Sequence, residues 1–533
     1  MGFLLESGRV YSVDPSTGSK IAELYLTSLN DIPEVVERTR VAQGEWARLG
    51  LTERVDVIRM AYRTCFKKRD EIAEIISRET GKPLVEAYTS EILPVLDCFK
   101  YYVRNGARIL KRRRIPSVNP LLKLRRAFVD FYPVGIVAVI SPWNFPFLLS
   151  MQQIIPALLA GNGVIHKPSE LTSLTGLKLG ELFSESGLPR NVLSIVTGLA
   201  GVGARLVQQP FDKISFTGST EVGIQIYKAA AENLTPVNME LGGSDPMIVL
   251  EDANIERAAN AAVWGGFSNA GQACVSVERL MVHSELYDTF VKRLREKIGA
   301  IKTGNTDVRD VAALANKSQF EKVRAYVQSC VDGGGEVLVG GKAKEDSGKY
   351  FVEPTLLLLK GWPKDGNADI EIFGPVITVM RFENDDEAIE LANASSFGLS
   401  ASVWTDDSKR AQEFARRLQV GSVLINELLV HLAHNEAPYS GAKKSGIGVT
   451  HGPWGLMEMT RPRYLSMETG FSKVLKKVLL RRQLNNNIWW FHYDSALIEE
   501  FKAFIHLLHS PSILERCKAL PCAVRAFFRD HYL

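Results

Sequence analysis

From residue 134 onward the chain alternates short β-branched apolar runs with stretches of helical periodicity, and this alternation limits the fold more than any other feature. "VGIVAVI" ends at Ile140, "GNGVIHK" at Lys167, "NVLSIVTG" at Gly198, "FDKISFTG" at Gly218 and "VNMELGG" just past Glu240. Between them lie "FLLSMQQIIPALLAG", "LTSLTGLKLGELFSES", "GVGARLVQQP" and "TEVGIQIYKAAAENL". Strands alternating with helices are joined by right-handed crossovers into a buried parallel sheet. Such a doubly wound sheet binds ligands beyond the carboxyl ends of its strands. Those ends carry Asn144, Lys167, Glu170, Gly218, Ser219 and Glu240. A second series, with "ERLMVH", "GPVITVMRF", "LSASVWT" and "GSVLIN" as strands, predicts another α/β domain with its own sheet. "ANIERAANAAVWGGFSNA" reads as a helix leading into Cys274, and the Gly-rich "GGGEVLVGGKAKEDSGKYF" as a surface hairpin.

Before residue 130 the pattern is mainly helical after a short entry. "DIPEVVERTRVAQGEWARL" offers Asp31 as N-cap and Pro33 in the first turn. The next helical stretch stops at Gly81 and Pro83. "KRRRIP" breaks the pattern and reads as a solvated charged face, and "RAFVDFYPVG" reads as a strand or hairpin. The 533 residues suffice for two or three domains. With 46% hydrophobic residues, 23% charged residues and a net charge of +4, nothing global calls for nucleic acid. Six cysteines without a CxxC pair suggest neither a disulfide framework nor zinc, and no metal is expected. A reducing, cytoplasmic setting follows from that usage, and the N-terminus shows no signal-peptide pattern.

One cysteine stands out by its surroundings. Most free cysteines are small buried hydrophobes. Cys274, however, ends a "GQAC" (271–274) that follows "SPWNFPF" (141–147), "HKPSE" (166–170), "FTGS" (216–219) and "MELGG" (239–243), and precedes "EIFGP" (371–375). Glu240 lies 34 residues before Cys274 and Glu371 lies 97 after it. In order and spacing these six motifs resemble the aldehyde dehydrogenase superfamily, over about residues 1–468. The resemblance implies an α/β fold of two Rossmann-like domains with a small β bridging element for oligomerisation. Residues 1–114 and 134–244 would form the dinucleotide-binding domain, 245–445 the catalytic domain, and 115–133 with 446–470 the bridge. Residues 471–533 are left as a basic amphipathic extension.

The resemblance also implies NAD(P)-dependent oxidation of an aldehyde to an acid, with Cys274 as nucleophile, Glu240 as base and Asn144 as oxyanion donor. Lys167 and Glu170 would grip the adenosine ribose, and Glu371 with Phe373 the nicotinamide ribose. Pro142, Trp143, Gly201, Phe216, Thr217, Gly218, Ser219, Val222, Leu241 and Gly242 complete the implied cofactor site. The chemistry agrees. A thiolate adds to a carbonyl carbon to give a thiohemiacetal. A free thiol of pKa about 8.5 is only a few per cent ionised at neutral pH, so it needs help. The tetrahedral oxyanion needs donors such as the Asn144 amide and the Cys274 N–H, each worth about 100- to 1,000-fold in turnover. Gly218 and Ser219 open a helix, whose free N–H groups suit phosphate. A carboxylate at Glu170 accepts from both ribose hydroxyls and repels a 2′-phosphate, favouring NAD, with NADP as the alternative.

For the substrate, Phe145, Leu148, Leu149 and Gln152 follow Asn144, and no Arg lies between Asn144 and Pro156. An uncharged, largely apolar small-molecule aldehyde is expected. The stretch from Asn426 to Gly446 borders the implied tunnel mouth, with Tyr439 and Ser440 where Phe and Gly are common in the family. His431 and His434 read as solvated loop histidines. Acyl transfer to coenzyme A would not need Glu240, and a cysteine hydrolase would need a His partner that no pattern supplies. A catalytically silent structural or membrane-associated member is the remaining alternative. The strands "RAFVDFYPV" and "RPRYLSME" resemble the family's bridging strands, implying a homodimer or homotetramer. From Lys473 to the end, ten basic residues face five acidic ones, with Trp489, Trp490 and Phe491 nearby. Such a tail can lie on an anionic membrane as a peripheral contact. Packing on the catalytic body or on a neighbouring subunit is the simpler reading.

Overall fold

The computed structural model describes residues 3–6, 9–118, 125–304, 309–346, 349–361, 369–468 and 495–528. The chain divides into two compact units: Met1–Leu110 with Tyr132–Arg461, and Lys111–Phe131 with Pro462–Leu533.

The larger unit is built around two large sheets. The first has six strands in the order Gly446–Ile447, Val237–Glu240, Lys213–Thr217, Ile136–Ile140, Gly163–Lys167, Leu193–Ile195. All pairings are parallel except that of the short Gly446–Ile447 edge. Its register sets Ile140 opposite both Lys167 and Phe216, and Glu240 opposite Thr217. Lys167, Phe216, Thr217 and Glu240 thus share the carboxyl edge where ligands bind in doubly wound folds. Helix Leu148–Ala160 is buried along its whole length, its apolar residues broken only by Ser150, Gln152 and Gln153.

The second sheet runs Glu336–Val339, Thr355–Leu358, Val376–Phe382, Val277–His283, Asp245–Val249, Ser400–Trp404, Ser422–Ile425. Its core includes Met247, Leu280, Val282, Phe290, Phe320 and Val379. The α/β class with parallel sheets is as the sequence leads one to expect.

One stretch left unassigned takes shape, and three local expectations need correction. The entry before the helices is a three-stranded antiparallel sheet, Phe3–Glu6, Arg9–Val13 and Lys20–Leu24. Asp31 occupies the N-cap position of helix Ile32–Trp46 but has αR backbone angles, and its side chain makes no cap bond. Only the second half of the Gly-rich segment is a hairpin, Ala343–Asp346 with Lys349–Val352. Its first half, Glu336–Val339, closes the large sheet because Val337, Leu338 and Val339 pack on the core. Finally, helix Ile255–Phe267 stops short of Cys274, where Asn269, Ala270 and Gly271 all take positive φ.

The smaller unit contains most of a three-stranded sheet, ordered Thr460–Glu468, Arg125–Pro133, Arg113–Ile115. Arg113 and Arg114 are exposed, and Arg112 pairs with Asp130. Helices Ser495–His509 and Ile513–Phe528 pack on each other. Trp489, Trp490 and Phe491 lie outside the described residues. Among the described residues, no helix is long and apolar enough to cross a membrane.

Candidate active site

The turn before Cys274 is built backbone first. At Gly271, φ is +70°, and an added Cβ would overlap the carbonyl oxygen of Gly374. Only glycine satisfies both conditions. Both carboxylate oxygens of Glu86 accept from the Asn269 N–H at 3.1 Å, holding that strained residue. The Asn269 amide donates to the carbonyls of Asn144 (3.1 Å) and Gln272 (3.0 Å). Cys274 itself is half-buried. A Cβ at Gly243 would overlap the Cys274 carbonyl oxygen, so the "MELGG" backbone lies directly against the cysteine. This close approach is what the two glycines after Glu240 suggest in the sequence.

Asn144 is buried, and its amide donates to the Gln272 carbonyl at 3.1 Å, using one of two amide hydrogens. Its own carbonyl accepts from Asn269 and from Lys82 Nζ at 2.8 Å. Lys82 is paired at 2.7 Å with Glu91, and both side chains are wholly buried. The second oxygen of Glu91 accepts the Phe147 and Leu148 N–H groups, at the start of helix Leu148–Ala160. Glu91 sits in a π-helical turn, Tyr88–Ile92, a distortion often found at functional sites. Lys82 Nζ also lies 4.3 Å from the centre of the Phe145 ring. Leu148, Leu149 and Gln152 are buried too, with the Gln152 amide donating to the Leu432 carbonyl.

Glu240 ends its strand. One oxygen lies 3.4 Å from the Thr450 hydroxyl, and the other is buried with no hydrogen-bond partner among the described residues. Burial holds this carboxyl well above the usual carboxylate range. The Tyr439 hydroxyl lies 3.9 Å from Cys274 Sγ. The Tyr439 ring is stacked between His431 and His451, at centroid distances of 5.5 and 5.2 Å. Burial pulls His431 down to about 4 and His451 to about 3, so both imidazoles are neutral at pH 7. His431 is therefore packed on Tyr439, not solvated as expected. The Cys274 thiol is pushed up, first by burial and then by the charges of Glu371, Asp245 and Glu240, while the Tyr439 hydroxyl pulls it down.

Along the sheet edge, Lys167 Nζ is 3.7 Å from Glu170. Ser219 caps helix Thr220–Glu232, its hydroxyl accepting from the Val222 N–H at 3.3 Å. The Gly218 N–H donates to the Glu240 carbonyl at 3.1 Å. Gly201 lies in the first turn of helix Ala200–Val207, where a Cβ would meet nothing within 4 Å. A Cβ at Gly242 would press on Glu371, which accepts the Gly243 N–H at 3.1 Å. Burial and the neighbouring Glu278 charge push Glu371 up to about 8. Phe373 has φ +56°, and its N–H donates to Glu278 at 2.8 Å. Its ring meets Trp143 edge-on at 5.5 Å, one residue beyond Pro142. Leu241 follows Glu240 and is buried.

The structure thus gathers Asn144, Cys274, Glu240, Gly242 and Glu371 through short contacts. Lys167 and Glu170 form a separate pair farther along the same sheet. Sequence reasoning missed Lys82, Glu91, Glu278 and Thr450. Lys82 was legible only as part of the helix stop "TGKP".

The sequence profile of the aldehyde dehydrogenase family matches residues 5–465. The chain belongs to the aldehyde dehydrogenase family. Similar to it is the 4,4'-diapolycopene aldehyde oxidase of Methylomonas sp, 34% identical over 522 residues, spanning 97% of this chain and 95% of that protein. The peroxisomal aminoaldehyde dehydrogenase 1 of Pisum sativum is 35% identical over 463 residues, spanning 84% and 90%. Among solved structures, the NAD+ complex of an aldehyde dehydrogenase from Bacillus cereus superposes with a TM-score of 0.82 at 32% identity, covering 86% of this chain and 93% of that one. Unlike the family profile, the Methylomonas alignment leaves out only 3% of this aldehyde dehydrogenase chain, so it reaches well past residue 465.

Proposed function

We propose that the chain oxidises a long, uncharged, largely apolar aldehyde to its carboxylic acid with NAD, through a thioester on Cys274. The observation that carries this is the contact of the Glu240–Gly243 backbone with Cys274, beside a buried Asn144 amide. The residues fit a dinucleotide. A lysine–carboxylate pair at Lys167 and Glu170 suits an adenosine ribose, and the Ser219 helix start suits a phosphate. Four buried acids, Glu240, Asp245, Glu278 and Glu371, are all raised above the carboxylate range. A cationic ring held near Glu371 and Phe373 would draw these carboxyls toward their ionised forms. When bound there, nicotinamide supplies the hydride acceptor.

The chain's own residues do the rest. Cys274 Sγ attacks the aldehyde carbon, and its proton passes to ionised Glu240. The Asn144 amide and the Cys274 N–H hold the oxyanion. Once it has given that proton up to solvent, Glu240 takes a proton from the water that releases the acid from the thioester. This role for Glu240 favours hydrolysis over transfer to coenzyme A. Val275, Leu399, Leu429 and Leu432 cluster with Cys274 and Tyr439, which suits an apolar chain like that named for the Methylomonas relative better than an amine. We also assign the exposed edge formed by Thr460–Glu468 to pairing between subunits.

Glu240→Gln should lower steady turnover about 100- to 10,000-fold, because thiol deprotonation and hydrolysis of the thioester both lose their base. With Glu240 raised by burial, its basic form grows as pH rises. Wild-type turnover should therefore climb with pH through that titration, and the Gln variant should lack the limb. A rapid-mixing pH series reads both, and an unchanged profile in the variant counts against Glu240 as base.

Tyr439→Phe keeps the ring stack and removes the hydroxyl that bonds Cys274. Alkylation of Cys274 by iodoacetamide should slow about three- to tenfold at fixed pH, the worth of one such bond. Because Cys517 and Cys522 are exposed, the rate must be read at the Cys274 peptide by mass spectrometry. An equal rate removes Tyr439 from thiol activation.

A further inference from the structure

We infer that the helical hairpin Ser495–Phe528 docks the enzyme on an anionic lipid surface, a role that rests on the apolar-substrate reading above. On the first helix, Ile498, Phe501 and Ile505 are 57%, 53% and 60% exposed. Their spacing of three and four residues puts them on one stripe. On the second helix Ile513, Leu514 and Leu520 are exposed as well. The opposite side is already used: Glu500, Ala503 and Ala523 are buried. The turn between the helices is fixed from within. Ser510 Oγ bonds Glu515, and the Arg516 guanidinium donates to the Ser510 carbonyl. The apolar stripe therefore belongs to a built hairpin.

The occupant follows from shape and charge. Helices of 15 and 16 residues are too short to span a bilayer. They can lie in its interface with their apolar stripe submerged. The hairpin itself carries four basic and three acidic residues, and just before it in the chain five basic residues and no acidic one lie between Lys473 and Arg482. That surplus repels a second copy of the same tail and attracts anionic headgroups. The family profile ends at residue 465, so the shared catalytic fold does not require the hairpin. For an aldehyde dissolved in lipid, an enzyme held at the interface meets its substrate without a water-borne step.

The test is co-sedimentation of the full chain with phosphatidylcholine vesicles containing about one third phosphatidylglycerol, against phosphatidylcholine alone. The wild type should bind the anionic vesicles and release with rising salt. The double variant Phe501→Glu, Ile505→Glu changes two exposed side chains, so its melting temperature should be unchanged. Its vesicle partition should fall about tenfold or more. No binding by the wild type, or equal binding by the variant, overturns the proposal. A drop in mass by light scattering in the variant, with vesicle binding intact, makes the stripe a subunit interface and overturns it too. Turnover of a short water-soluble aldehyde, read in parallel, reports on the proposed chemistry separately and should be the same in both proteins.

Discussion

Cys274→Ala should lose aldehyde turnover by at least about 10,000-fold, since removing a covalent nucleophile leaves only binding and oxyanion stabilisation. The other thiols cannot substitute. Cys65, Cys98 and Cys330 are buried, and Cys517 and Cys522 lie in the terminal hairpin. Cys65 is wholly buried on helix Leu51–Thr80, where no substrate can reach it. The alanine variant should fold as the wild type does, because the half-buried thiol makes only a long contact with Tyr439. NADH formation at 340 nm, with dinucleotide binding followed by quenching of tryptophan fluorescence, gives the two readouts. Turnover comparable to wild type would remove Cys274 from the chemistry. Retained binding with lost turnover is the expected pattern.

Glu91→Gln should be almost as damaging by another route. The substitution leaves Lys82 buried without its anion, which costs about 3–5 kcal/mol. Against a typical total stability of about 5–15 kcal/mol, that is a large fraction. Glu91 also accepts the Phe147 and Leu148 N–H groups, so the helix start behind Asn144 loosens as well. The melting temperature should drop clearly. Adding Lys82→Met removes the orphaned charge and should restore most of the stability. Turnover should stay low in the double variant, because the Asn144 carbonyl has lost the Lys82 donor that fixes its loop. Full recovery of turnover along with stability would mean that the pair serves folding alone.

Cys274, Glu240 and Glu371 were legible because each sits in a short motif beside glycines that the geometry needs. Gly243 and Gly271 are the clearest cases, since a side chain at either would strike backbone. The carboxyl-edge placement of Lys167 and Ser219 followed from strand–helix alternation alone. Lys82 and Glu91 were hidden because their meeting depends on a π-helical turn, which has no periodic signature. The stack of His431, Tyr439 and His451 was hidden because it joins two irregular segments, and His451 itself has φ +62°. The N-terminal sheet was overlooked because its strands are only four or five residues long and carry no clean alternation.

The Asn269 side chain has a mechanical consequence. By tying the Asn144 carbonyl to the Gln272 carbonyl, it fastens the amide donor and the sulfur-bearing turn into a single clamp. Thermal jostling then carries both jaws in step, and their mutual alignment survives fluctuations of the surrounding loops. In the proposed reaction, a carbon caught there would meet attacker and stabiliser at a spacing set by one carboxamide.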